Sequence, residues 1–470
     1  MAEAETADQV TAAITIQLTT VVGVHRRLGI RAAPTSKRNV KGFVRAFDVR
    51  TGKRLWIFHT IPRPGEFGYD TWEKDAADYT GNAGVRGQIS VDEDLGLAYL
   101  PVELPTGDVY GGHRPGSGLF GESIVAVDLK TGQRRWHYQL VHHGIWDFDI
   151  PCAPILTDIV VNGRTIKALA QPTKQAFLYV LDRTNGQPVW PIEERPVEQS
   201  TVPGEKTSPT QPFPTKPPAY DRQGSSIDDL IDFTPELRAE AVKVASKYKL
   251  GPVFTPPVLS NPDGPIATLG MATFGGGTNW AGGSFDPETQ ILYVYSQRTI
   301  TPMGLVPGDP KRTDLTYMLG QSAAGAPPAL TVQGLPMIKP PYGSISAIDL
   351  KKGEILWQIA HGDTPDNVRN SPALKGVTIP RTGRSGVVGT LVTPTLLIAG
   401  ESGTATQPNG QRGALLRAYD KATGKDAGSV AMPVGQTGTA MTYLLNGKQY
   451  IVVAVGAPGF PAEFIAYKLP

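Results

Sequence analysis

One cysteine, Cys152, stands in 470 residues, which excludes an internal disulfide and any metal centre built on cysteines. No apolar run approaches the ~20 residues of a membrane-spanning helix. Charge of one sign is missing too: 45 Lys and Arg against 43 Asp and Glu leave a net +2, too little to argue for nucleic acid or an anionic membrane as partner. The first twenty residues, MAEAETADQVTAAITIQLTT, have no basic stretch ahead of an apolar one, so no secretory signal is expected in them. What is abundant is glycine (53) and proline (42), about a fifth of the chain against roughly an eighth in average proteins. Many turns and short strands follow. With 40% hydrophobic and 19% charged residues, the chain can bury a large core and is not disordered by composition.

The turns recur in register. AFDVRTGKRLW ends at Trp56, AVDLKTGQRRW at Trp136 and AIDLKKGEILW at Trp357, with Asp, Gly and Trp at identical offsets. Two degenerate copies keep the frame: VLDRTNGQPVW, in which Val180 replaces the Ala, and AYDKATGKDAG, in which Gly428 replaces the Trp. An Asp that accepts local backbone bonds and a Gly in the left-handed region make a tight hairpin between two strands, and the Trp is left to dock on the neighbouring unit. One such unit cannot bury its own apolar face, so the copies must stack, and radial blades are the usual solution for antiparallel units of this length. The fold expected is all-β, a β-propeller.

The 167 residues between Trp190 and Trp357 are long enough to hide a further blade with a decayed signature, and NWAGGSFDPETQILYVYSQ (279–297) is expected to supply it. The same interval holds a Pro-rich insertion, QPFPTKPPAYDRQG, excluded from any central strand. After it comes the one convincing helix, from residue 235 to about 248, with Thr234 as N-cap, Pro235 in the first turn, and Leu237, Ala241 and Ala245 as its apolar stripe. About six blades are expected, the first incomplete, with residues 1–40 a divergent segment holding a partial blade and 41–470 the propeller domain.

Chemistry concentrates in VHHGIWDFDIP, residues 141–151. Adjacent His142 and His143 cannot both point to one face of a strand, whereas Asp147 and Asp149 can. Trp146, Phe148 and Ile150 flank the two carboxylates, which should therefore be semi-buried and in need of a cation or hydrogen-bond donors. Read alone, the segment fits a turn Asp with a packing Trp equally well.

VHHGIWDFDIP, together with QPTKQAFLYVLDRTNG, GGHRPGSGLFGESIVAVD, DFTPELRAEA and NGKQYIVVAVG, resembles the pyrroloquinoline quinone (PQQ) dependent dehydrogenases, closest to their glucose dehydrogenase branch. The resemblance covers residues 40–470 and implies an eight-bladed propeller in which PQQ and a divalent cation, usually calcium, lie near the axis. It implies oxidation of an aldose sugar or alcohol, a quinone or cytochrome as electron acceptor, and a periplasmic location. Carried over by position, Asp147 is the base that takes the substrate hydroxyl proton while the hydride goes to PQQ. Lys174 bonds the quinone oxygens, Asn279 and Trp280 contact the cofactor, and Asp147 with Asp149 marks the metal. His142 and His143 shape the substrate mouth.

Two departures stand beside the match. Arg86 occupies the stretch where the family has a tryptophan beneath PQQ, and a guanidinium can stack on the ring or pair with its carboxylates. The family's glutamate ligand is expected just before the first repeat, where VVGVHRRLGIRAAPTSKRN has no acid, leaving Glu103 and Asp108 as substitutes. The alternative reading is a non-catalytic propeller scaffold, which would keep the repeats without needing Asp147, Lys174 and Asn279 together, or an inactive fragment of such an enzyme.

Overall fold

The computed structural model describes residues 20–21, 40–322, 329–407 and 410–468. Six antiparallel sheets follow one another along the chain as blades of a β-propeller. The first contains Thr20–Val21, Phe43–Phe47 and Arg54–His59. The second is the four-stranded meander Ser90–Asp92, Leu97–Pro101, Ser123–Asp128 and Arg134–Gln139. Ile155–Val161, Arg164–Pro172 and Leu178–Asp182 make the third, which a bridge from Leu181 to Pro188 extends. Gly283–Asp286, Ile291–Gln297, Gly343–Asp349 and Glu354–Ala360 make the fourth. The fifth is built on Thr390–Val392, Leu396–Gly400, Arg412–Asp420 and Asp426–Met432, the sixth on Met441–Leu445, Lys448–Ala457 and Phe460–Lys468.

The repeat occupies the same place each time, the turn between the third and fourth strands of a full blade. Asp48 takes the backbone N–H groups of Arg50 and Thr51, and Asp128 takes those of Lys130 and Thr131. The five repeat glycines, Gly52, Gly132, Gly186, Gly353 and Gly424, all lie at φ between 67° and 78°. In the first, second, fourth and fifth copies the strand register slips just after the repeat's Ala, so the same bulge twists those four blades alike.

Each tryptophan then lands on the glycine of the next repeat. A Cβ built on Gly132 would fall 2.5 Å from the Trp56 ring, on Gly186 2.6 Å from Trp136, on Gly353 3.3 Å from Trp190 and on Gly424 3.0 Å from Trp357. Trp56 Nε1 also donates to the Leu129 carbonyl at 2.9 Å, and Trp136 Nε1 to that of Arg183 at 3.1 Å. Glycine is required twice over at these points, for the left-handed turn and for the absent Cβ.

The blade count agrees with the sequence, but one assignment does not. Residues 279–297 form no blade of their own: Ile291–Gln297 pairs along its length with Gly343–Asp349, which carries the AIDLKKGEILW repeat. The two halves of the fourth blade are separated by an excursion that no periodicity marks. Of the segment in which a partial blade is expected, Thr20–Val21 pairs with Ala46 and Arg45; residues 1–19 and 22–39, where the glutamate ligand is also expected, lie outside the described residues.

The inserted segments pack against the loop that joins the second and third blades. Thr210–Pro214, from the Pro-rich stretch, pairs only with Ile192–Pro196, as its prolines require. The helix Pro235–Ala245 begins at Thr234, whose Oγ1 accepts from Leu237 N, and buries Leu237, Ala241 and Ala245. Phe213, Phe254, Met303 and Leu305 of the inserted segments share a core with Trp146 and Phe148 of the VHHGIWDFDIP segment.

Gly132→Ala and Gly163→Ala separate the two roles of a repeat glycine. Gly163 lies in a hairpin at φ 75° with nothing described within 4 Å of an added Cβ, so alanine there should cost about 1–2 kcal/mol for the backbone alone. Gly132→Ala should cost roughly 1–3 kcal/mol more, because Trp56 must also move. Urea unfolding of both variants checks the difference, and equal losses would remove the tryptophan seat from the account.

Candidate active site

Residues 140–154 join the second and third blades without a regular strand, so the shared face expected for Asp147 and Asp149 does not come from strand alternation. Trp146 and Phe148 both turn into the inserted core: they stack with ring centroids 6.0 Å apart, meet Phe254 edge-on, and Trp146 Nε1 donates to Thr255 O at 2.9 Å. Asp147, between them, adopts φ 57° and is turned the other way. Its N–H donates to Asp108 O at 3.1 Å. A left-handed aspartate held by its neighbours in this way is a common mark of a functional position.

Lys174, buried just past the end of Arg164–Pro172, brings the two aspartates together. Its Nζ donates to Asp147 O at 2.7 Å, to Asp147 Oδ2 at 2.9 Å and to Asp149 Oδ2 at 3.0 Å. The loop Gly275–Gly277 wraps it closely: a Cβ on Gly276 would lie 2.8 Å from Lys174 Cγ, and Gly277 N donates to Lys174 O at 2.7 Å. Asn279 and Trp280 follow that loop. Asn279 Nδ2 donates to Gly275 O at 2.8 Å, and its Oδ1 accepts from Trp280 N at 2.8 Å. Trp280 is 49% exposed, which removes core packing as the reason for this tryptophan.

Arg86 joins the same cluster from the other side. Its Nη2 donates to Asp149 Oδ2 at 2.9 Å and its Nε to Glu103, while Leu104 N donates to Asp149 Oδ1 at 3.0 Å. Its side chain remains 38% exposed, so one edge of the guanidinium is open to a ligand. Glu103 and Asp108, the substitutes named from sequence, are both in the cluster. Two charged members escaped the sequence reading. Glu122 is buried against Gly144, where a Cβ would meet its carboxylate, and its Oε1 has no partner. Arg114, also buried, donates to the carbonyls of Thr106, Gly107 and Gly144. Both lie in the GGHRPGSGLFGES stretch, and only the absence of an outward-facing helix or strand there could have pointed to them.

The two aspartates differ in environment. Burial raises Asp149, but Lys174, Arg86 and the Leu104 N–H outweigh it and hold Asp149 below the usual carboxylate range. Asp147 has Lys174 alone; burial, helped by Asp149 and Asp108, pushes it well above that range. Lys174 is held protonated because the two carboxylates outweigh its burial. Burial and Asp149 push Glu103 up to about 7 and Asp108 up to about 6, against the pull of Arg86 and Lys174. A pair of acids with pKa values driven apart is the arrangement that general acid–base chemistry needs.

With all five ionised, the carboxyl groups of Glu103, Asp108, Glu122, Asp147 and Asp149 would outnumber the cations Arg86, Arg114 and Lys174 by two. Among the described residues no three His, Cys, Asp or Glu side chains converge as a ready-made metal cage. The donor chemistry nevertheless fits a hard divalent cation, whose charge equals the excess and whose preferred ligands are carboxylate oxygens. The two histidines point apart, although no strand alternation separates them: His142 Nε2 meets Glu194 at 3.0 Å on the rim, and His143 is buried.

The molecule is an all-β propeller in which a buried lysine pairs two aspartates of an inter-blade loop. Residues 2–451 match the family described as "PQQ: Glucose/ethanol/alcohol dehydrogenase, beta-propeller domain", and the chain belongs to that family. It is 33% identical to the quinoprotein glucose dehydrogenase of Escherichia coli K12 over 93% of this chain and 55% of that protein. It is 29% identical to the quinate/shikimate dehydrogenase (quinone) of Acinetobacter baylyi over 98% and 57%. The chain thus spans about half the length of the curated relatives it matches. Among solved structures, the quinohemoprotein alcohol dehydrogenase ADHIIG of Pseudomonas putida superposes with a TM-score of 0.59 at 22% identity, over 90% of this chain and 53% of that one, a likeness of fold. No described helix is long and apolar enough to cross a membrane.

The raised acids carry a pH signature. Groups whose folded pKa exceeds the unfolded one stabilise the fold at low pH and lose that contribution as pH rises through the folded value. Between pH 5 and pH 8 the stability of the metal-free protein should therefore fall more steeply in the wild type than in Glu103→Gln. Denaturant unfolding at a series of pH values measures both slopes, and parallel curves would mean that Glu103 is ionised throughout.

Proposed function

We propose that this chain forms the cofactor and substrate site of a quinoprotein dehydrogenase that oxidises an aldose, glucose-like, or an alcohol, and passes the electrons to a quinone or cytochrome. The observation that carries the proposal is the convergence of Asp147 and Asp149 on Lys174 with their proton affinities driven apart. Asp147, in its ionised form, would take the proton of the substrate hydroxyl, and as the more basic of the two carboxylates it holds that proton more firmly than Asp149. Asp149 stays ionised and keeps Lys174 and Arg86 charged and aimed. PQQ, when bound, supplies the two-electron acceptor for the hydride. Lys174 would hold its quinone oxygens, Arg86 its carboxylates, and Trp280 with Asn279 its ring. The half-exposed Trp280 beside a loop of glycines supports that assignment.

A divalent cation, calcium by the family's habit, would be held by Asp147 and Asp149 and would offset the surplus of carboxylates. Relatives that act on sugar, quinate and glycerol share the family, so the glucose-like substrate rests on the kinship with the glucose branch. The same kinship supports a periplasmic location and residues 41–470 as one domain. A scaffold would have no use for a buried lysine shared by two aspartates, since leaving either charge unpaired would cost several kcal/mol.

Asp147→Asn tests the base. With PQQ and calcium present, dye-linked oxidation of glucose should fall at least ~100-fold in kcat while PQQ still binds. Retained turnover would move the base to another carboxylate.

The cation is tested separately, by titrating PQQ and following the quinone absorbance with calcium or with a chelator. Binding should require the cation, and equal binding in chelator would leave Lys174 and Arg86 as the only charges the cofactor needs.

A further inference from the structure

The inserted hairpin reaches the active-site segment at two buried points: Gln211 exchanges two hydrogen bonds with the His142 backbone, at 2.9 and 2.7 Å, and beside it lies an ion pair that the chemistry above does not use. Residues 197–209 connect Ile192–Pro196 to Thr210–Pro214, and they carry Glu205. Its Oε1 lies 2.7 Å from His143 Nε2, with 2% of the histidine side chain and 1% of the glutamate side chain exposed. The other His143 nitrogen, Nδ1, lies 2.8 Å from the Gly116 carbonyl. His143 is thus held at both ring nitrogens, between the Glu205 carboxyl group and a backbone carbonyl. Burial alone would raise the Glu205 carboxyl, but the His143 hydrogen bond and charge, with the Gly111 N–H, hold it below its usual range.

Glu205 binds more than the histidine. Its Oε2 accepts from Gly111 N at 2.5 Å, and its Oε1 also accepts from Lys206 N at 3.0 Å. One carboxylate from the insertion thus ties together the loop that carries Asp108 and the segment that carries Asp147. The fit is close on every side: a Cβ on Gly111 would lie 2.6 Å from His143 Nε2, and the Gly144 carbonyl takes Arg114 Nη2 at 2.6 Å. His143 stands at φ 46° and Asp147, four residues on, at φ 57°. Two left-handed non-glycine residues this close persist only where the surroundings over-determine them. The rim pair of His142 with Glu194 is too exposed to do this.

We propose that Glu205 is a positioning residue: through His143, the inserted hairpin clamps the 143–149 segment and sets the aim of Asp147. The proposal rests on Asp147 being the base. It makes the insertion part of the catalytic apparatus, although no residue of the hairpin touches the Asp147, Asp149 and Lys174 cluster.

Hydrogen exchange on the whole chain tests the clamp without requiring turnover. In Glu205→Ala, amides of 107–116 and 142–149 should exchange at least ~10-fold faster than in the wild type, while those of 343–360 in the fourth blade keep their rates. Glu194→Ala should change neither. In the same variant, dye-linked kcat with PQQ and calcium should fall at least ~10-fold with the substrate KM little changed. If Glu205→Ala does not fold, Glu205→Gln is read by the same two measures. Unchanged exchange in the two segments, or equal acceleration in every blade, overturns the clamp. Intact turnover in Asp147→Asn beside locally faster exchange in the Glu205 variant would instead overturn the base assignment.

Discussion

A tryptophan laid on a glycine of the following repeat holds this molecule together. The seat works because the glycine contributes twice, by turning the chain through the left-handed region and by leaving the space that the indole fills. Four of the five repeat turns receive a neighbour's ring in this way. The contact between Trp190 and Gly353 matters most, since it keeps the third and fourth blades adjacent although a long inserted segment separates them in the chain. An excursion of that size is tolerable because it leaves and returns at one end of the blades, where loops and not strands are displaced.

The inserted core is what creates the site. Trp146 and Phe148 are drawn into it by the hydrophobic effect, each worth on the order of 2 kcal/mol or more on burial, and Asp147 is left to face inward between the two anchors. Lys174 then collects both aspartates. The asymmetry between them arises from the second neighbour: Arg86 and a backbone N–H belong to Asp149 and not to Asp147. One carboxylate is held ionised and the other is made basic by the same surroundings. Arg86, tied to Asp149 and Glu103, is therefore part of the structure of the cluster.

Much of this was legible in the residues. The spacing of Asp, Gly and Trp specified the turn, its left-handed glycine and the docking of the ring. Thr234, Pro235 and the Leu237, Ala241 and Ala245 stripe specified the helix to within a few residues at its end. The prolines of residues 211–224 confined their strand to a two-stranded hairpin. The resemblance of VHHGIWDFDIP and QPTKQAF to one family brought Asp147, Asp149 and Lys174 forward together. Glu122, Arg114 and Glu205 were not legible, because a buried charge in an irregular loop has no period and its partner lies anywhere in the chain.

By itself, then, the sequence determined the repeating unit and the side chains able to do chemistry, because both depend on interactions within about a dozen residues. Only the tertiary structure decided that residues 279–297 share a blade with residues 343–360, since a strand's apolar face shows that it needs a partner and not which one. It alone decided that Arg86 belongs to Asp149 and Glu103, and that a carboxylate from the inserted hairpin reaches His143. Electrostatic pairing depends on distance in space, which the order of residues along the chain does not record.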